Sequence, residues 1–372
     1  MIEAAERLAL AAERELEALV GVSTPSGDVA GAEEAVALCV AFLPPEAEPE
    51  RIACSTQGHA PDLLGRLRGT GERRLLLLGH LDTVVSHEGH RPLTRDGERL
   101  LGSGSVDMKG GVALALGVMR ELAGRPELYA EAAVLLVNDE EWRTVPFAHT
   151  QRFSDWDACL CFEAGEVDSQ GHDAVIVKRK AAGTLEITAQ GLPAHSGSAP
   201  HRGRSALLAL AQVAQRIAAM SDPSGPDRLT AVPTILHSGE AFNVVPPHGR
   251  LVSDLRADDL AAFGPVLAAL PEDVDGVSIA STLVRAWPGM DTRAATVGVL
   301  EDASERLDRP LVASERGGAS DASHIAQAVQ LTVDGLGPRG GGAHTPGEWV
   351  GAASLRTRAE VALAVAAAIL AG

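Results

Sequence analysis

"LLLLGHLDTV", residues 75–84, sets four consecutive leucines before Gly79 and then places His80 and Asp82 two residues apart. A run that is apolar at every position, with no alternation, fits a strand covered on both faces. Such strands belong to parallel sheets flanked by helices. In open α/β sheets ligands bind beyond the carboxyl ends of the strands, so an imidazole and a carboxylate at this strand end are candidates for chemistry.

The same texture recurs along the chain. "AEEAVALCVAFL" (32–43) and "GGVALALGVMRELA" (110–123) have helical spacing, and "EAAVLLVNDEE" (131–141), "DACLCFEAG" (157–165) and "VQLTVDGLGP" (329–338) read as strands. The first twenty residues predict a helix that Pro25 and Gly27 stop, and an alanine-rich helix closes the chain. The fold class is therefore α/β: a mostly parallel sheet with helices on both faces.

Near residue 173 the pattern changes. "AVIVKRKAAGTLEITAQG" predicts two strands around a turn at Ala182 and Gly183. A strong helix follows over 203–220, then two strands, a helix over 258–271 and a last strand ending near Arg285. That order, β-β-α-β-β-α-β, is a self-contained α+β unit. With 372 residues, too many for one ordinary core, the chain divides into an outer domain, 1–173 and 286–372, and an inserted domain, 174–285.

The formal charge of −18 argues against nucleic acid or an anionic membrane as partner, since both need a basic footprint. Cys39, Cys54, Cys159 and Cys161 form no CxxC pair and no disulfide framework, and Cys159 and Cys161 read as buried structural thiols. The N-terminal stretch carries charges throughout and resembles neither a signal peptide nor a membrane span. No later run reaches membrane length, and the expectation is a cytoplasmic protein.

Every apolar strand of the outer domain ends in possible metal ligands. Beside His80 and Asp82 stand Asp139, Glu140 and Glu141 after "AVLLVN", and Glu163 after "CLCF". Asp107 precedes a helix in "GSGSVDMKGG", and His344 lies on a glycine-rich loop in "GGGAHTPGE". Each has an ordinary reading alone: a loop histidine, a solvated acidic turn, an N-cap. Those readings weaken together, because all of these features fall at one end of one sheet. Imidazoles and carboxylates suit a divalent ion such as zinc, and one carboxylate can bridge two ions.

Taken in order, "GHLDTV", "GSGSVDMKGG", "NDEE", "FEAG", "GLPAHSGSAPHRG", "NVVP", "GGASDA" and "GPRGGGAHTPGEWV" resemble the zinc-dependent M20 peptidases and amidohydrolases over nearly the whole chain. That group includes glutamate carboxypeptidase, acetylornithine deacetylase, succinyl-diaminopimelate desuccinylase and aminoacylase, and the motifs come nearest to the glutamate carboxypeptidase branch. The resemblance implies two divalent ions, Zn2+ or else Co2+ or Mn2+. His80 and Glu163 would hold one and Glu141 and His344 the other, with Asp107 bridging. Asp82 would orient His80, and Glu140 would be the general base. The insert would be a ferredoxin-like lid that also forms a homodimer. Its His195 would stabilise the oxyanion, and Asn243, Arg256 and Arg316 would meet the substrate, the arginines through its carboxylate. Arg256 has an equal reading as a surface ion-pair residue.

The implied activity is hydrolysis of the amide bond of a small N-acyl amino acid or dipeptide. A biosynthetic deacylase of the acetylornithine or succinyl-diaminopimelate type is the alternative. A zinc-binding interaction protein without activity is a third reading, which an intact Glu140 disfavours. Two departures from the family pattern stand out: "GSGS" where Arg-Gly is usual, and Trp142-Arg143 where a small Gly-Ser element usually follows the acidic pair.

Overall fold

The computed structural model describes residues 2–372. The chain divides into two compact units. The first comprises residues 1–178, 290–316 and 320–372, and the second residues 179–289 and 317–319.

The first unit is built on a six-stranded sheet in the order Glu48–Ile52, Asp62–Arg68, Glu131–Val137, Arg74–His80, Ala158–Cys161, Leu331–Val333. Its leucine run lies at the centre. Leu75 and Leu77 enter one core cluster, Leu76 and Leu78 the other, and all four are fully buried. Successive side chains of a strand point to opposite faces, so helices on both sides demand an apolar residue at every position. Each buried leucine contributes roughly 1.5–3 kcal/mol against the unfolded chain, before entropy. The helix Gly110–Ala123 is buried along most of its length, whereas Ile2–Gly21 buries only the stripe Ala5, Leu8, Ala12, Leu16, Leu19 and Val20.

The four strands on the Glu131–Val137 to Leu331–Val333 side pair in parallel, which puts their carboxyl ends at one edge. The sheet as a whole is mixed. Glu48–Ile52 and Asp62–Arg68 pair antiparallel, and Asp62–Arg68 also runs antiparallel to Glu131–Val137. Three of its five pairings are parallel, so the expectation of a mostly parallel sheet holds, with two antiparallel strands added at one edge. These two strands have polar or charged residues on the edge and were not legible as apolar runs.

The second unit has its own core, with Leu185, Ile187, Leu210, Val213, Leu251 and Phe263 at its centre. Its five-stranded sheet is antiparallel throughout, in the order Thr230–Ser238, His248–Ala257, Ala181–Gln190, Val277–Trp287, Asp273–Val274. Helix Ala206–Ala219 packs Ala206, Ala209, Leu210, Val213 and Ile217 inward. Two details differ from the sequence reading. Ala182 and Gly183 lie inside strand Ala181–Gln190 and not in a turn, and the break falls at Lys180. The helix expected over 258–271 is a 3-10 turn, Leu260–Ala262, followed by the short helix Phe263–Ala268, with Pro265 in its first turn.

Candidate metal centre

The strand ends of the first unit deliver the acidic and imidazole groups to one edge. His80 is the last residue of its strand. Asp139, Glu140 and Glu141 follow Glu131–Val137 after Asn138, and Glu163 lies just beyond Ala158–Cys161. Asp107 sits in a kinked turn, Ser105–Lys109, with φ −126° and ψ 90°, and Lys109 rather than Asp107 caps the helix that follows. His344 stands on its glycine-rich loop with φ 63°, a left-handed conformation unusual for a side chain other than glycine.

Among the described residues these groups form two triads, His80–Asp107–Glu163 and Asp107–Glu141–His344, with the donor atoms of each within 4.8 Å of one another. Asp107 is common to both and turns one oxygen to each histidine. Its Oδ1 is 3.1 Å from His80 Nε2, and its Oδ2 is 3.1 Å from His344 Nε2. Glu163 Oε1 lies 3.8 Å from His80 Nε2, and Glu141 Oε2 lies 3.2 Å from His344 Nε2.

The electrostatics call for cations. Asp107, Glu140, Glu141 and Glu163 crowd two imidazoles, and the carboxyl groups so massed are hard to ionise together without added positive charge. Burial, with Asp107 adding to it, holds the Glu163 carboxyl well above the usual range, and burial raises Glu141. Burial also pushes Glu140 up to about 7, reinforced by Glu141 and Asp107 and opposed by His80 and Arg143. Burial alone would lower His80, but its bonds to Asp107 and Asp82 prevail and raise it; the Asp107 and Glu141 carboxylates raise His344 to about 10. Glu141 Oε1 is buried without a hydrogen-bond partner. A buried acceptor left unpaired is costly, and a coordinated ion satisfies it. The residues present fit two divalent ions sharing Asp107.

Supporting groups hold the ligands in place. His80 Nδ1 lies 3.0 Å from the Asp82 carbonyl oxygen and, as the protonated nitrogen, leaves Nε2 with the lone pair that a metal needs. Asp82 does more than orient this ring. Its carboxylate accepts from the backbone N–H groups of both Glu140 and Glu141, at 3.1 Å each, and so fastens the acidic turn to the strand end.

Two further devices have roles that the sequence reading did not reveal. Glu348 is buried and accepts from the N–H groups of Gly104, Val106 and Asp107 at 2.7, 2.8 and 3.0 Å, which ties the His344 loop to the turn that carries the shared aspartate. Arg143 is wholly buried, bonds Asp139 at 2.9 Å and also Asp321, and lies 4.6 Å from the centre of the Phe147 ring. Asp139 also accepts from the N–H and hydroxyl of Thr56. The sequence held a signal for both: Glu348 falls four residues after His344, and Arg143 is a departure from the family pattern.

The remaining candidates are placed as follows. In the second unit His195 is exposed, and its Nδ1 accepts from the N–H groups of Gly197 and Ser198 at 3.1 and 3.3 Å. Asn243 lies beside it, since the Ser196 N–H donates to the Asn243 carbonyl at 3.0 Å and His195 bridges Val244. Arg256 is bonded by Nε and Nη2 to Asp254, two residues back on its own strand, at 3.0 Å each. In the first unit Arg316 Nε donates to Glu166 at 2.8 Å. The four cysteines are free, three of them buried, and among the described residues no helix is long and apolar enough to cross a membrane.

Comparison with known proteins places this arrangement. Residues 76–368 match the profile of Peptidase family M20/M25/M40. Carboxypeptidase G2 of Pseudomonas sp. (strain RS-16) is 24% identical over 355 residues, covering 89% of this chain and 82% of the relative. A succinyl-diaminopimelate desuccinylase of Methylobacterium sp. (strain 4-46) is 30% identical over 293 residues, covering 70% of this chain and 72% of the relative. The crystal structure of aminopeptidase PepT from Bacillus cereus ATCC 10987 shares the fold, with a TM-score of 0.76 at 20% identity over 97% of this chain and 98% of that one. Family and ligand sets together make this protein a metal-dependent amidohydrolase or peptidase. The match takes in His80, the acidic turn, Glu163 and His344 alike, and the chain belongs to Peptidase family M20/M25/M40.

Proposed function

We propose that the protein is a di-zinc hydrolase that cleaves the amide bond of a small N-acyl amino acid or dipeptide with a free carboxylate. One observation carries this reading: Asp107 faces His80 with one oxygen and His344 with the other, at 3.1 Å each, with the buried Glu140 alongside. Two ions, when bound, polarise the scissile carbonyl and acidify the attacking water. His80, Glu163, Glu141, His344 and the shared Asp107 would hold them.

Glu140 takes the proton of the attacking water and returns it to the leaving amine. Without an ion, burial raises its carboxyl to about 7, and a carboxyl buried beside the reacting water is placed to accept and return a proton. Asp82 keeps its backbone in place. His195, with Nδ1 occupied by two N–H donors, carries its proton on Nε2 in the neutral ring and can donate it to the substrate oxyanion. The inserted unit is read as a ferredoxin-like lid through which two copies pair, so that His195 serves the partner copy. Arg316, steadied at Nε by Glu166, keeps its other N–H donors for a substrate carboxylate, with Asn243 beside it in role. Arg256 is committed to Asp254 and is the weaker candidate.

Similarity to carboxypeptidase G2 supports the carboxypeptidase-like reading, and similarity to the desuccinylases supports the deacylase alternative. A hydrolysis screen of N-acyl amino acids, dipeptides and N-succinyl diamino acids with metal-reconstituted protein separates them. Turnover of carboxylate-bearing N-acyl amino acids is expected. Preference for amidated analogues would contradict the proposal.

A further inference from the structure

The segment that follows the metal-binding pair alternates sharply between inside and outside. Arg143, Phe147 and His149 are buried, while Trp142, at 65% exposed, and Val145 face solvent. Both neighbours of Trp142 are fixed. The N–H of Glu141 is held by Asp82, and the Arg143 guanidinium joins Asp139 to Asp321 above the Phe147 ring. Further on, the Ala148 N–H donates to Ser55. The indole therefore hangs from a backbone anchored on both sides, and its attachment point is displayed at little further cost in order.

Its place is informative. Trp142 directly follows Glu141, whose carboxylate meets His344 at 3.2 Å, so the indole is rooted one residue from the metal centre. The candidate ligands themselves are carboxylates and imidazoles, which suit an ion rather than an apolar substrate group. An indole supplies broad contact area with few rotatable bonds.

We propose that Trp142 is a specificity-determining residue that packs against a large apolar or aromatic group flanking the scissile amide, selecting substrates that carry one. The inference rests on the hydrolase reading above. It gives the Trp142-Arg143 departure a function: Arg143 anchors the turn from within, and Trp142 reads the substrate from without.

The test uses two substrate series. One keeps an acetyl group and varies the amino acid from glycine to leucine and phenylalanine; the other keeps the amino acid and varies the acyl group from acetyl to benzoyl. The series in which wild-type protein favours the larger group identifies the side of the amide that Trp142 meets. Trp142→Ala is expected to lower kcat/KM for that larger group about 10–100-fold and to leave the smallest substrate within about 2-fold. Trp142→Phe should retain most of the preference. An equal fall across both series, or none, overturns the proposal. Equilibrium dialysis of the same compounds gives a reading independent of turnover: a preference for the large group that vanishes in Trp142→Ala supports the assignment, and an unchanged preference rejects it. Wild-type protein that binds these compounds selectively but hydrolyses none would instead contradict the hydrolase reading.

Discussion

His80 and His195 are both candidate site histidines, one in each unit, and their surroundings are opposite. His80 is 1% exposed; its Nδ1 faces a carbonyl, and its Nε2 faces two carboxylates. His195 is exposed, and its Nδ1 accepts from two backbone N–H groups. In the neutral ring the first arrangement leaves a lone pair on Nε2 and the second leaves a proton there. The same residue type is thus suited to ligating a metal in one unit and to donating a hydrogen bond in the other. The contrast extends to their neighbours. The first unit encloses its candidates among Asp82, Glu348 and Arg143, whereas the second presents His195 and Asn243 on surface loops.

The largest effect should come from the enclosed side. Glu140→Gln removes the proton acceptor while keeping size and burial. Turnover should fall by at least about 10²–10⁴-fold, the usual share of general acid–base catalysis, with metal content unchanged. Near-wild-type kcat in a variant shown to hold its metal would remove Glu140 from the role.

On the exposed side, His195→Ala should cost about 10²–10³-fold in kcat, as loss of an oxyanion donor does elsewhere. Mixing His195→Ala with Glu140→Gln sharpens the comparison. If His195 serves the partner copy, mixed dimers contain one intact site and regain activity. No recovery despite demonstrated subunit exchange would confine the histidine to its own chain or to no role.

Smaller losses are expected from the groups that hold ligands without being ligands. Asp82→Ala should reduce metal affinity or activity about 10–100-fold, because it frees the N–H groups of the acidic turn and removes the carboxylate 3.4 Å from His80 Nδ1, while the backbone carbonyl facing that ring remains. Arg143→Gln leaves Asp139 and Asp321 buried without their cation and should lower unfolding free energy by about 3–5 kcal/mol, measured by denaturant titration. A variant as stable as wild type would show that this buried network relaxes freely.

Much of the first unit was legible because its chemistry coincides with its punctuation. A fully apolar run has few readings, and each such run ended on histidine or acid. The antiparallel strands Glu48–Ile52 and Asp62–Arg68 escaped because the first is mostly exposed and carries no apolar pattern. The break at Lys180 escaped because Ala182-Gly183 resembles a turn locally, while tertiary pairing with Val277–Trp287 and His248–Ala257 carries the strand through it. Glu348 and the Arg143 network escaped for another reason. Their function lies in backbone N–H groups and buried partners far away in sequence, which residue type alone does not reveal. Conversely, the pairing of Arg256 with Asp254 was written in "SDLRADD", two residues apart on one strand face.

The shared aspartate is the claim on which the rest depends, and calorimetric titration of metal-free protein with zinc tests it. Two equivalents per chain are expected, with proton release. The Asp107 and Glu141 carboxylates raise His344 to about 10, so that ring is protonated below this pH without metal and must lose its proton to bind, and affinity should increase as pH rises. Asp107→Asn should weaken both equivalents together, because one side chain serves both triads. Saturation at a single equivalent in the wild type, or loss of only one equivalent in Asp107→Asn with the other at full affinity, would contradict a bridged pair.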